Sequence, residues 1–262
     1  MKLAMAAAAA VAMWAGWAAA QPAAPVMPRA ASDVRAKSPD YPSPQGESLD
    51  AIKQLPDWGG IWQGSMASFR PPAPPELTPE AAARLKAFNA SKANGENLQD
   101  GHANCMPFAY PSSMGIYPIE FLFTPGKVTM AIETDSQMRR IFTDGRKLPA
   151  DPDETFQGYS VGHWEGDTLV DDTVGLVPAP QMEIMQGVGH SDKLKIHERI
   201  HLVGPDSLEL SWTYEDPAVL AKPWTVTRVY QRHRDWDLEE YNCSQNNHDA
   251  ADDKGRPSMR LN

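Results

Sequence analysis

Hydrophobic and polar residues alternate one by one through much of this chain, most clearly in Leu194-Lys195-Ile196-His197-Glu198-Arg199-Ile200-His201-Leu202. On a strand, residues two apart share a face, so Leu194, Ile196, Ile200 and Leu202 point one way and Lys195, His197, Arg199 and His201 the other. Glu198 falls on the apolar side, where a carboxylate needs a partner or a purpose. The same period of two runs through Ile119/Phe121/Phe123, Val128/Met130/Ile132 and residues 137–143, with Thr124-Pro125-Gly126-Lys127 as the first turn. Residues 156–164 and 168–174 flank a hairpin loop at Glu165-Gly166-Asp167, and 191–202, 207–214, 224–232 and 236–243 complete the set. An earlier segment, Trp58-Gly59-Gly60-Ile61-Trp62-Gln63-Gly64, reads as an opening strand. Between them, Thr78-Pro79-Glu80 supplies a cap, a proline for the first turn and an early acid, ahead of Ala81, Leu85 and Phe88 at helical spacing. About nine or ten short strands with one N-terminal helix predict a mainly β protein, an antiparallel barrel of lipocalin or calycin type, with a β-sandwich as the alternative.

The ends of the chain change the picture of where this barrel works. Residues 1–20 carry Lys2, an Ala/Met/Val/Trp run and a small-residue Ala18-Ala19-Ala20 site, the pattern of a cleaved export signal. The run is too short and Ala-rich for a membrane anchor, so a periplasmic or secreted protein with no stable membrane insertion is expected. A Pro/Ala-rich leader, expected to be disordered, follows at 21–55, the barrel domain spans 56–247, and 248–262 form a polar tail. The formal charge of −10 becomes −11 once Lys2 is removed, which excludes nucleic acid as a partner. Cys105 and Cys243 are the only cysteines, and in an oxidising compartment a disulfide is favoured over two buried thiols.

Several short motifs recur together. They are Pro56-Asp57 with Gly60 and Trp62, Tyr117-Pro118-Ile119-Glu120, Arg139 to Arg146, Gly162-His163-Trp164-Glu165-Gly166-Asp167-Thr168-Leu169-Val170, His190-Ser191-Asp192, Pro223-Trp224-Thr225 and Glu240-Tyr241-Asn242-Cys243. In these residues the chain resembles a large group of exported bacterial proteins to which no established activity attaches. The resemblance implies export and a shared fold. In such sequences Arg can stand at the position of His163, which weighs against a mechanism needing histidine there. They also have a longer loop where this chain has residues 178–187, whose Met182 and Met185 could shape a pocket mouth.

Glu198 leads the candidate chemistry. It could be a general acid or base tuned by apolar walls, or half of an ion pair with Arg228, which shares a face with Trp224, Val226 and Tyr230; the pairing is favoured. His163 and His190 sit at strand ends, where with Asp192 they could line a barrel mouth as acid and base. Ser191 makes no hydrolase triad, since chain neighbours on a strand point apart. One of Arg139 and Arg140 should face inward, and Arg140 is taken with Arg228 as the holder of a negative group. His197 and His201, roughly 13 Å apart on a strand, read as solvated outer residues rather than zinc ligands. Asp171-Asp172 and Asp151-Pro152-Asp153-Glu154 lack the loop of a calcium hand, so no metal is expected. Trp62, Trp164, Trp212 and Trp224 default to core packing, or line a cavity if the barrel is not filled.

These readings lead to a barrel that binds an apolar or aromatic small molecule without an organic cofactor. Glu198, His163, His190 and Asp192 would be its acid–base groups if it were an isomerase, hydratase or lyase. A non-catalytic carrier and a structural envelope protein are the alternatives.

Overall fold

The computed structural model describes residues 48–64, 73–94, 107–115, 117–178, 183–185, 187–243, 250–251 and 257–258, all within one unit, Pro42–Asn262. The expected signal and residues 21–47 of the leader lie outside these residues. The elements in chain order are α1 Leu49–Ile52, β1 Ile61–Gly64, α2 Pro79–Ala93, β2 Ile119–Thr124, β3 Lys127–Ile132, β4 Gln137–Phe142, β5 Tyr159–Glu165 and β6 Thr168–Val174. A small hairpin, β7 Glu183–Met185 with β8 Val188–Gly189, precedes β9 Lys195–Gly204, β10 Ser207–Glu215 and β11 Trp224–His233, and a second, β12 Ala250–Ala251 with β13 Pro257–Ser258, follows. No helix among the described residues is long and apolar enough to cross a membrane.

Nine strands close into a barrel in the order β1-β11-β10-β9-β6-β5-β4-β3-β2. The expected barrel is present, with one parallel pair: Ile141 lies against Ser160 and Phe142 against Val161. Residues 143–158 carry the chain from the end of β4 back to the opposite end of the barrel, so β5 must start beside β4 and run with it. Residues 236–243, expected as a further strand, are not one. Trp236 instead lies flat on His233, ring centres 3.6 Å apart, and the Glu239 amide donates to Glu133. At the end of the expected leader, α1 forms a single turn capped by the Ser48 hydroxyl.

The three tight hairpins at 124–127, 165–167 and 204–207 share one end of the barrel, here the hairpin end. There Trp58 packs against Phe121 (5.0 Å between ring centres), Phe123 (5.6 Å) and Trp164 (5.3 Å), and the Trp62 indole N–H donates to the Trp58 carbonyl at 2.9 Å. Arg232 lies over Trp62 and donates to Asp57, tying the segment before β1 to β11. The opposite, loop end is crossed by residues 107–115, 175–178, 187–190 and 215–223 and flanked by α2. The helix begins at Thr78, whose hydroxyl accepts from the Ala81 amide, and its Ala81 buries against Val188, Val219 and Leu220. Gly187, at φ +84°, sits so close to Phe88 of α2 that a Cβ there would lie 2.5 Å from the ring.

Candidate site: a charged cluster inside the barrel

Inward residues of four neighbouring strands meet at one level. Gly162 of β5 pairs with Asp171 of β6, Asp171 with Glu198 of β9, and Glu198 with Trp212 of β10. Arg139 of β4 lies among them. It donates to Asp171 Oδ1 at 2.5 Å and forms an ion pair with Glu198, Nη1 to Oε2 at 2.8 Å, and all three side chains are 0% exposed. The rest of its fork is used as well: Nε donates to Ser160 Oγ at 3.2 Å, Nη2 to Thr173 Oγ1 at 3.1 Å, and Nη1 reaches Met130 Sδ at 3.2 Å. Ser160 and Thr173 are themselves 2.7 Å apart. Gly162 leaves the room this needs, because a Cβ there would stand 2.6 Å from the Val170 carbonyl oxygen and 2.9 Å from the Asp171 Cβ.

Tyr110 closes the cluster from the loop end. Its ring lies 3.8 Å from the Arg139 guanidinium carbon, its hydroxyl accepts the Trp212 indole N–H, and the Glu198 carboxylate stands close by. Burial pushes the Tyr110 phenol well above its ordinary range, against the pull of Arg139. Burial also opposes the Arg139 charge, but Asp171 and Glu198 outweigh it and hold the guanidinium protonated. One cation faces two carboxylates, and Asp171 takes the consequence. Burial pushes it well above the carboxylate range, the Glu198 charge adds to the shift, and Arg139 offsets only part.

Glu198 therefore pairs with Arg139, which corrects the expectation of Arg228. The physical reason is register: β3 opposes Met130 to Arg139, both buried, so Arg139 shares the inward face with Ile141. Arg140, on the other face, is exposed and is removed from the inward candidates. Arg228 does point inward, half-buried, over the Trp212 ring at 5.6 Å and near Tyr230. Tyr214 and Trp224 stand beside it as inward, partly buried aromatics, their ring centres 5.4 Å apart. Here β1 opposes only residues 230–233 of β11, leaving the Trp224 half of that strand beyond its reach. The Tyr230 hydroxyl donates to the Met114 carbonyl at 2.5 Å.

The histidines do not join this cluster. The side chain of His163 is 65% exposed on the outer wall, where it meets Glu165 at 3.2 Å. His190 is buried in the loop end, its Nδ1 2.8 Å from the Ser191 carbonyl; burial lowers its pKa, against the pull of that carbonyl, Asp216 and Glu154. Asp192 is exposed, and Ser191 donates to Asp216 at 2.8 Å. His197 faces outward as expected, 2.9 Å from Asp172, at an external cavity of about 310 Å³ lined also by Leu148, Lys195 and Glu215. Trp62 and Trp212 are fully buried, and Trp164 is half-buried at the hairpin end. Cys105 lies outside the described residues. Among those residues no group of three or more His, Cys, Asp or Glu could hold a metal ion. No protein-family model matches the chain, and no curated protein matches it in sequence.

Sequence reading missed Asp171 and Tyr110 and chose the wrong neighbour of Arg139. For Arg139 the signal was available: Ile141, two residues on, is the most apolar position of β4 and fixes the inward parity. Asp171 shares parity with Leu169 and Thr173, but the flanking Val170 and Val174 offer an equally apolar alternative face. Tyr110 lies on a loop, where no periodicity applies.

Proposed function

We propose that this is an exported, soluble barrel protein that binds an apolar or aromatic small molecule bearing a negatively charged oxygen. The observation that carries it is Arg228, an inward, half-buried guanidinium near Trp212, Tyr214 and Tyr230, with Trp224 packed beyond on Tyr214. Aromatic walls supply area and ring contacts, and a guanidinium fork suits a carboxylate or phenolate. Export is the reading of residues 1–20, and it places Cys105 and Cys243 where a disulfide between them would persist.

Calorimetric titration of the mature protein with naphthalene-2-carboxylate tests this. Saturable binding is expected, weakened about tenfold or more by Arg228→Met, a charge-assisted contact being worth roughly 1.5–3 kcal/mol. Equal affinity for uncharged 2-methylnaphthalene, or no effect of Arg228→Met, would contradict it.

A second reading, acid–base catalysis, is favoured by the carboxyl pair alone. It rests on Glu198 and Asp171 and no longer on His163, His190 or Asp192. Loss of turnover with retained binding in Glu198→Gln, on whatever compound accumulates in a deletion strain, is its test.

A further inference from the structure

Tyr110 fills the barrel without belonging to its wall. It sits on the loop 107–115, just before the short turn Ser112–Met114, and reaches inward from the loop end. Its contacts come from three separate strands. Arg139 of β4 covers the ring face, Trp212 of β10 donates to the hydroxyl, and Glu198 of β9 stands close by with its buried carboxylate oxygens accepting no hydrogen bond. The loop itself is tied by the Tyr110 amide to the Phe156 carbonyl at 2.8 Å and by Tyr230 to the Met114 carbonyl.

Resting on the reading of the barrel as a small-molecule binder, we propose that the Arg139–Glu198–Trp212 floor is a recognition site for a phenolic ligand, and that Tyr110 occupies it as a stand-in. The three wall groups are what a phenol needs: a cation over the ring, a donor to the oxygen and an acceptor for its proton. An aromatic without the hydroxyl would leave the Trp212 N–H without its acceptor and give the Glu198 carboxylate, which accepts no hydrogen bond, no donor, so the site discriminates against plain hydrocarbons. Trp212 also links this floor to Arg228, which lies over the same indole. A phenol with an acidic arm would therefore meet Glu198 with its hydroxyl and Arg228 with its charge. Access requires loop 107–115 to withdraw Tyr110, so the observed affinity is the intrinsic one reduced by the fraction of withdrawn loop.

The test uses the mature full chain with 4-ethylphenol and ethylbenzene as paired probes, read by calorimetry and by amide hydrogen exchange of residues 107–115. In the parent, 4-ethylphenol is expected to bind weakly and to speed exchange in that loop. Tyr110→Ala should bind it at least about tenfold more tightly than the parent does, and at least about tenfold more tightly than it binds ethylbenzene. Equal binding of both probes by Tyr110→Ala, a plain apolar hole, overturns the proposal, as does unchanged loop exchange in the parent at saturating 4-ethylphenol. Should Tyr110→Ala fail to fold, Tyr110→Phe decides. It keeps the ring but not the hydroxyl, so it should be displaced more easily and bind 4-ethylphenol more tightly than the parent; affinity equal to the parent's overturns the proposal. Retained binding of naphthalene-2-carboxylate in that event marks failure of the phenol site alone, whereas loss of both means that the barrel is not a small-molecule binder.

Discussion

The two ends of this barrel are stabilised by different physics. At the hairpin end Trp58, Trp62, Phe121, Phe123 and Trp164 seal the interior with ring contacts, and the buried charge there, Arg232 over Trp62, pairs with an exposed carboxylate, Asp57. In the loop half, a guanidinium, two carboxylates and a phenol are buried together, and a further arginine is held half-buried beside them. An apolar seal gains from every ångström of area it removes from water. A buried ion cluster must first recover the cost of desolvating each charge, and replacement by apolar groups is often neutral or better. A barrel that needed only stability would repeat the hairpin end twice. The difference is what points the proposed function to the loop half.

The largest expected effect breaks the charged half outright. Arg139→Met leaves Asp171 and Glu198 buried without their cation and should cost about 3–5 kcal/mol in denaturant unfolding. Adding Asp171→Asn and Glu198→Gln to that variant should recover much of the loss, which would show the cluster to be a specificity device rather than a source of stability. Trp58→Ala, at the hairpin end, should cost a similar 3–4 kcal/mol by loss of packing, with no dependence on pH. A difference in pH response between these two variants would sharpen the contrast.

A smaller effect follows from Asp171. Its folded pKa is raised by burial and by Glu198, so the folded protein holds a proton that the unfolded chain has released above the ordinary carboxylate range. Stability from this group is present at low pH and is lost as pH rises through the folded value, by at most about 1.4 kcal/mol per pH unit. Asp171→Asn should flatten that arm of the stability profile and be more stable than the parent on its alkaline side. The smallest effect concerns His190, whose pKa is lowered chiefly by burial. Below about pH 6.5 the unfolded chain takes up the proton and the folded loop resists it, so stability falls as pH drops. His190→Gln should remove that acid-side loss, measured as a smaller shift in midpoint between pH 7 and pH 5 than the parent shows.

Much of this architecture was legible in the alternation of residues. Period-two runs located eight of the nine barrel strands, and the ninth, β1, announced itself by its glycines and Trp62. The parallel β4–β5 pair was not legible, because strand direction depends on where residues 143–158 cross the barrel, and alternation carries no direction. Glu198 as an inward carboxylate was visible from one strand; its partner was not, since pairing depends on the register of β4, β6 and β9 together. The inward setting of Arg228 was legible from Trp224, Val226 and Tyr230, but its pairing with Glu198 was not borne out, since Arg139 takes that place. His163 and His190 failed as a pair because position at a strand end says nothing about which side of the wall the side chain takes.

The central claim, that binding belongs to the loop half, can be read from the tryptophan indole N–H signals in a ¹⁵N-correlated NMR spectrum. Trp58, Trp62 and Trp164 report the hairpin end, Trp212 and Trp224 the loop half, and Trp236 the outside. On titration with naphthalene-2-carboxylate, the Trp212 and Trp224 signals should shift and saturate together while those of Trp58, Trp62 and Trp164 stay in place. Shifts confined to Trp58 and Trp164, or no saturable change at Trp212 and Trp224, would contradict the account.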